Sequence, residues 1–333
     1  MSAPPTPEAL AEQLVAGQRG ALARGITLLE SQRAADRPVA RRLLAAAQRL
    51  APPASTRRIG ITGSPGAGKS TLIEAYGTRL LDAGHRVGVL AIDPSSNRTR
   101  GSILGDKTRM ATLSRDARAF VRPSPAGTTL GGVARATREA ILLCEAAGYD
   151  RILVETVGVG QSEHAVRDLV DAMALLVLPG GGDDLQGIKR GIVELCDLVL
   201  VNKADGERAA LARETARHYG QALHLQPARD DGWSPVAIAG SAVAAGGLTG
   251  FGESLKAYFE ALSPSGLTAL RTAQSARYFD SAWREVVLAA ALSSVALQDR
   301  LQTSRDSIAS GADTAESLLA DLAARVHLRL RND

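Results

Sequence analysis

The chain has 333 residues, 45% hydrophobic and 22% charged, with 33 glycines and 3% aromatic residues, a composition that excludes disordered, collagenous and fibrous chains and supplies a sizeable core. Its 39 Lys and Arg stand against 35 Asp and Glu for a formal net charge of +4, and the basic residues are mostly scattered arginines, which argues against a nucleic-acid partner. At roughly 150 residues per domain, the length fits about two domains or, the preferred reading, one α/β domain with extensions.

The N-terminus, MSAPPTPEAL, lacks a basic segment followed by an apolar stretch, and no later run approaches the ~18 apolar residues that span a bilayer. The expectation is a cytoplasmic protein with no membrane association. From about Pro7 to Leu50 the chain is rich in Ala, Leu, Arg, Gln and Glu, with Leu10, Leu14, Leu22 and Leu28 at near-helical spacing, which predicts an N-terminal helical extension over residues 1–54. The stretch Ala51–Ser55, APPAS, breaks it.

A core over residues 55–262 opens with the β-like run Arg58–Thr62. Apolar, β-branched runs recur at Val87–Ile92, Ile152–Val154, Leu175–Leu178, Leu198–Val201 and Val236–Ile238, separated by helix-like segments such as Ser70–Ala83 and Val133–Ala147. Continuous apolar strands alternating with helices predict an α/β fold, a mainly parallel central sheet flanked by helices. Beyond Ser263 the strand signals stop, and helical patterns over Leu267–Leu297 and Glu316–Leu330 define a C-terminal helical extension over residues 263–333. There Leu318, Leu319, Leu322, Val326 and Leu330 form one apolar stripe, suited either to docking on the core or to pairing with a second chain as a dimerisation arm.

Gly63 to Ser70 reads GSPGAGKS, the full G-x-x-x-x-G-K-S/T pattern, between a strand and a helix beginning near Lys69. Gly63, Ser64, Pro65, Gly66, Ala67 and Gly68 would form a nest of inward backbone N–H groups, continued by Ser70 and Thr71 at the helix N-terminus. Lys69 reaches the β- and γ-phosphates and the Ser70 hydroxyl offers a magnesium ligand. NKAD, comprising Asn202, Lys203, Ala204 and Asp205, follows the strand Leu198–Val201 and matches the NKxD base-reading pattern of GTPases. Asp205 can accept from both the ring N–H and the exocyclic amine of guanine, a pair that adenine lacks. Asn202 would bind the other edge of the base, and the Lys203 stem would cover the ring.

Three acidic residues stand where strands or loops reach the phosphates: Asp93 closing RVGVLAID, Asp106 in SILGDKTRM and Glu155 closing RILVET. Hard oxygen ligands suit Mg²⁺. Strand-end position supports Asp93 and Glu155, whereas Asp106 has only its loop setting.

The run of blocks resembles the MeaB/MMAA (ArgK-type) family of P-loop GTPases, G-protein chaperones of adenosylcobalamin-dependent acyl-CoA mutases. The blocks are GSPGAGKST at Gly63, AIDPSSNRTRGSILGDKTRM at Ala91, RPSPAGTTLGGVARATRE at Arg122, ILVETVGVGQSE at Ile152, LPGGGDDLQGIKRGI at Leu178 and VNKAD at Val201. The resemblance implies GTP and GDP as substrate and product, with Asp93, Asp106 and Glu155 joining Ser70 at Mg²⁺. It implies switch I around 93–110, switch II around 155–163, and a third switch over 180–189 with Asp183, Gln186 and Lys189 as its polar residues. It also implies an acyl-CoA mutase partner, methylmalonyl-CoA mutase or a relative, which the protein would load, protect or reactivate. No cobalamin-binding motif is visible, so direct cobalamin binding is not expected.

ETVG at Glu155 replaces the usual DxxG, and Val159 stands where Ras-like proteins place a water-orienting Gln, with Gln161 two residues on. The expectation is therefore slow intrinsic hydrolysis, in which Lys69, Glu155, Asp106 and Gln161 take part, accelerated by a partner. After the last core strand, GSA offers Ser241 and Ala242 as an SA-type loop beside the base. Cys144 and Cys196 are far apart, and His85, His164, His218, His224 and His327 lack ligand spacing, so neither a disulfide framework nor a zinc site is expected. Two competing readings are an ATP-dependent kinase linked to basic-amino-acid transport, which NKAD opposes, and a nickel-enzyme maturation GTPase, which lacks its His-rich tract here.

Overall fold

A computed structural model describes residues 5–31, 33–51, 55–92, 110–122, 130–156, 163–180, 190–227, 229 and 231–319. Seven strands, β1 (Arg57–Gly63), β2 (Val87–Ile92), β3 (Ala119–Arg122), β4 (Arg151–Thr156), β5 (Ala172–Val177), β6 (Leu198–Val201) and β7 (Val236–Ala239), form one sheet in the order β3-β2-β4-β1-β5-β6-β7. Every pairing is parallel. All of β5 (AMALLV) and β6 (LVLV) is buried, as expected when helices cover both faces of a parallel sheet.

One face is covered by the helices Pro7–Val15, Arg19–Glu30 and Asp36–Leu50 together with Leu130–Ala146 and Ala209–His224: Leu14, Leu22, Ile26 and Leu43 share a hydrophobic cluster with Leu143, Ile152, Val199 and Tyr219. The opposite face is covered by the helix Lys69–Asp82 and the start of Thr249–Leu292, through Leu72, Ile73, Phe251, Leu255 and Tyr258. The first helix begins where Thr6 accepts the Ala9 N–H and Pro7 supplies a preset φ. Thr249–Leu292 is broken at Ser263, followed by Pro264, whose missing N–H cannot continue the ladder. The chain divides into two compact units, Met1–Thr272 and Ala273–Asp333.

Buried carboxylates fix the amino ends of the strands. Asp171, immediately before β5, accepts the Arg58 N–H of β1 at 2.8 Å and the fork of Arg271 at 2.8 and 2.7 Å. Asp197, immediately before β6, accepts the Met173 N–H of β5 at 2.7 Å and pairs with Arg167 and Arg229. Each strand start is thus tied to the strand beside it. The opposite, carboxyl edge is left to the loops. There β1 lies between β4 and β5, with the strands of the first excursions on one side and β5–β7 on the other, the crevice in which open α/β sheets bind ligands.

Candidate functional site

The loop leaving β1 is set by close approaches that only glycine allows. A side chain on Gly63 would stand 2.3 Å from the Leu176 carbonyl of β5, and one on Gly68, at φ +95, would stand 2.6 Å from Asn202 Nδ2. Lys69 opens the following helix and donates to the Gly63 carbonyl at 2.7 Å and the Ser64 carbonyl at 3.1 Å, so its ammonium closes the loop from within. Ala67 N–H donates to the Ser64 carbonyl at 3.2 Å. Pro65, Gly66 and Thr71 are exposed on the loop and first turn, whereas Gly63, Ala67 and Lys69 are buried.

β4 brings a carboxylate to this loop. Ile61 is in register with Glu155, and successive side chains on a strand point to opposite faces. Glu155, 6% exposed, meets the Ser70 hydroxyl, which donates to its Oε1 at 3.2 Å. On the other face Thr156 Oγ1 donates to Thr62 Oγ1 at 2.9 Å, and both are fully buried. The end of β4 is therefore held on one face to Ser70, just past the loop, and on the other to Thr62 of β1. Two hard oxygens converging beside a Gly-rich anion nest form a donor set that fits Mg²⁺, which needs few protein ligands and keeps several waters. Among the described residues no group of three or more His, Cys, Asp or Glu is arranged to hold a metal.

The loops after β6 and β7 meet over the phosphate loop. Asn202, 2% exposed, donates from Nδ2 to the Ala67 carbonyl at 2.8 Å and accepts the Ala242 N–H at 3.2 Å. One amide thus joins the phosphate loop to the loop after β7. Lys203 takes φ +60, which turns the chain so that Asp205, exposed to solvent, faces Ser241. The Ser241 hydroxyl donates to Asp205 Oδ1 at 2.6 Å, and the Ala204 N–H donates to the Gly240 carbonyl at 3.0 Å. A carboxylate fixed at one oxygen keeps its remaining lone pairs for a ligand bearing adjacent N–H groups.

The structure brings together Gly63, Ser64, Pro65, Gly66, Ala67, Gly68, Lys69, Ser70 and Thr71 with Glu155, Asn202, Lys203, Asp205, Ser241 and Ala242, all at the carboxyl edge of the sheet. Asp93, Asp106, Gln161, Asp183, Gln186 and Lys189 lie outside the described residues. Sequence reasoning missed the Thr62–Thr156 pair and the closing contacts of the loop after β7. Neither has a motif, and only strand register reveals the first. Cys144 and Cys196 are buried, and burial pushes the Cys144 thiol up, leaving it a small apolar core residue.

A family model described as methylmalonyl Co-A mutase-associated GTPase MeaB matches residues 22–296. A putative GTPase of Caulobacter vibrioides is 55% identical over 274 residues, covering 81% of this chain and 82% of its own. The mouse protein called methylmalonic aciduria type A homolog, mitochondrial, is 49% identical over 270 residues, 78% of this chain and 65% of its own. GTPase ArgK of Escherichia coli is 44% identical over 273 residues, 82% of both chains. A crystal structure described as a LAO/AO transport system kinase superposes with a TM-score of 0.77 at 31% identity, over 98% of this chain and 99% of the other.

Proposed function

Since the chain belongs to the MeaB family of P-loop GTPases, we propose that it hydrolyses GTP slowly and that its nucleotide cycle gates cofactor loading, protection or reactivation of an adenosylcobalamin-dependent acyl-CoA mutase. The observation carrying the nucleotide half is the junction at Asn202 and Asp205, where one amide bridges the phosphate loop to the loop after β7 and a serine hydroxyl fixes the carboxylate. Support for the mutase half is the matching family's description and the blocks that run through the chain.

The chain's own residues divide the work. The loop 63–70 cradles the phosphates with backbone N–H groups, and Lys69 adds a positive charge that moves from loop carbonyls to phosphate oxygens. Asp205 accepts from the guanine ring N–H and exocyclic amine, while adenine would face it with an acceptor. Ser70 and Glu155, with Asp93 and Asp106 as the further oxygens, would hold Mg²⁺, which supplies charge neutralisation at the β- and γ-phosphate oxygens. Glu155 also ties the end of β4 to the Ser70 hydroxyl, and in this reading the segment 157–161 that follows it in the sequence acts on the attacking water. Because Val159 stands where a Gln is usual, water is poorly oriented in the isolated protein, and a partner that orders the segment raises the rate.

The working unit in this reading is a cytoplasmic homodimer joined through its C-terminal helices. Among the described residues no helix is long and apolar enough to cross a membrane. The relative described as a transport kinase favours an ATP-using enzyme, and the geometry around Asp205 opposes it. The deciding experiment is steady-state phosphate release from GTP and from ATP, with and without a purified adenosylcobalamin-dependent acyl-CoA mutase from the same source. Slow GTP-selective turnover that rises with the mutase is the expected result. GTP turnover indifferent to the mutase removes the partner, and ATP turnover overturns the reading.

A further inference from the structure

The loop after β7 folds back on itself within eight residues. Ser241 N–H donates to the Gly247 carbonyl at 3.0 Å, and Gly247 N–H donates to the Ala244 carbonyl at 3.0 Å. Inside this closure the Ser241 hydroxyl uses its full capacity, one donor and two acceptor sites. It donates to Asp205 at 2.6 Å and accepts the N–H groups of Val243 and Ala244 at 3.3 Å each. Ser241 is 2% exposed, so solvent offers it little replacement.

Gly246 and Gly247 are glycines for different reasons. Gly246 takes φ +69 and has nothing closer than 3.9 Å to a would-be side chain; Gly247 is outside the left-handed region, yet a methyl there would stand 2.4 Å from the Ser241 carbonyl oxygen and 3.1 Å from that of Ala244. Both obstacles are backbone atoms, which cannot swing aside as a side chain would. An alanine at 247 must therefore push Ser241 away, and the short, saturated bond to Asp205 goes with it.

We infer that Gly247 is a specificity-determining residue for the base: its missing side chain lets the loop close, the closed loop fixes Ser241, and Ser241 holds Asp205 in the orientation that distinguishes guanine. Gly247 acts at a distance as a positioning residue, without touching the nucleotide. The inference rests on the reading that Asp205 accepts from guanine.

The test compares dissociation constants for GDP and for inosine diphosphate, which keeps the ring N–H and lacks the exocyclic amine, on the full-length protein. The wild type is expected to prefer GDP by about tenfold or more, the scale of one hydrogen bond to a charged group. Gly247→Ala and Ser241→Ala should each bring that ratio to within about threefold of unity, and the double variant should be no worse than Ser241→Ala alone. A general loss of structure lowers both affinities together and leaves the ratio standing. Gly240→Ala is the second variant, because a methyl there would stand 2.8 Å from the Gly247 carbonyl. It must lower the ratio as well, and it decides the matter if Gly247→Ala does not fold. A wild-type ratio retained in both glycine variants overturns the role of Gly247 and leaves Asp205 as the base reader. A wild type that does not distinguish the two nucleotides overturns the reading of Asp205 and the inference together.

Discussion

Lys69 shows how much of the site one residue organises before any nucleotide arrives. Its ammonium spans the loop between the Gly63 and Ser64 carbonyls, an arrangement that satisfies a buried charge and closes the loop from within. Lys69→Ala removes both the internal tie and the charge offered to the β- and γ-phosphates, so GTP turnover under saturating nucleotide should fall by roughly 10²–10³-fold, the usual loss when one preorganised donor to a transition state is deleted; single-turnover phosphate release measures it. At Asp205, replacement by Asn turns one acceptor into a donor, which matches the extra ring carbonyl of xanthine. Affinity for GDP should fall by at least about tenfold while xanthosine diphosphate gains, read by competition against a fluorescent GDP analogue. These two residues were legible in the sequence because a fixed spacing carries their chemistry. Thr62 and Thr156 were not, since each is an ordinary β-strand residue until the register Ile61↔Glu155 sets the two side by side. Gly247 was also illegible, because it owes its identity to a carbonyl six residues earlier and not to its own backbone angle.

At the scale of elements, the carboxyl edge can be given over to loops because the amino edge is fastened independently. Asp171 and Asp197 do the same work one strand apart, each accepting a backbone N–H from the neighbouring strand while arginine forks cover the remaining oxygens. Burial of Asp197 is almost complete, at 1% exposure, and removing it leaves Arg167 and Arg229 without their shared anion and the Met173 N–H without an acceptor. Asp197→Ala should therefore cost about 3–5 kcal/mol, seen as a lower urea midpoint, while GDP affinity of the folded fraction changes by less than about twofold because the nucleotide loops are at the other end of the sheet. Burial explains which strands the sequence announced. β5 and β6 are apolar throughout, so they stand out as uninterrupted runs. β3, AFVR, is a four-residue edge strand paired on one side only, too short and too mixed for a strand period to show in the sequence. The Asp residues before β5 and β6 look like loop charges in the sequence, and their role appears only once the neighbouring strand is known.

For the whole molecule, the alternation of apolar runs and helices was enough to imply a parallel α/β sheet, but the strand order was not, because alternation says nothing of which strand neighbours which. The same limit applies to the helical ends: the N-terminal helices present Leu14, Leu22 and Leu43 to the main cluster, whereas Ala273–Asp333 forms a unit of its own. That unit carries Phe279, Trp283, Val286 and Val287 at i, i+4, i+7 and i+8, which are 65%, 58%, 56% and 42% exposed. Such spacing places them along one helical stripe that no described residue covers, and a contiguous apolar stripe is a surface that favours a partner. A second copy offers the same stripe, and a two-fold axis lets identical faces pair. The native protein should accordingly sediment at about twice the 34.7 kDa of one chain, with a midpoint little affected by salt because the contact is apolar. Phe279→Glu combined with Trp283→Glu places like charges across the axis and should yield a monomer that still binds GDP, since neither residue belongs to the nucleotide site. A wild type that sediments as a monomer at micromolar concentration, or a double variant that remains dimeric, would remove the stripe from the assembly and return the C-terminal unit to a role within the single chain.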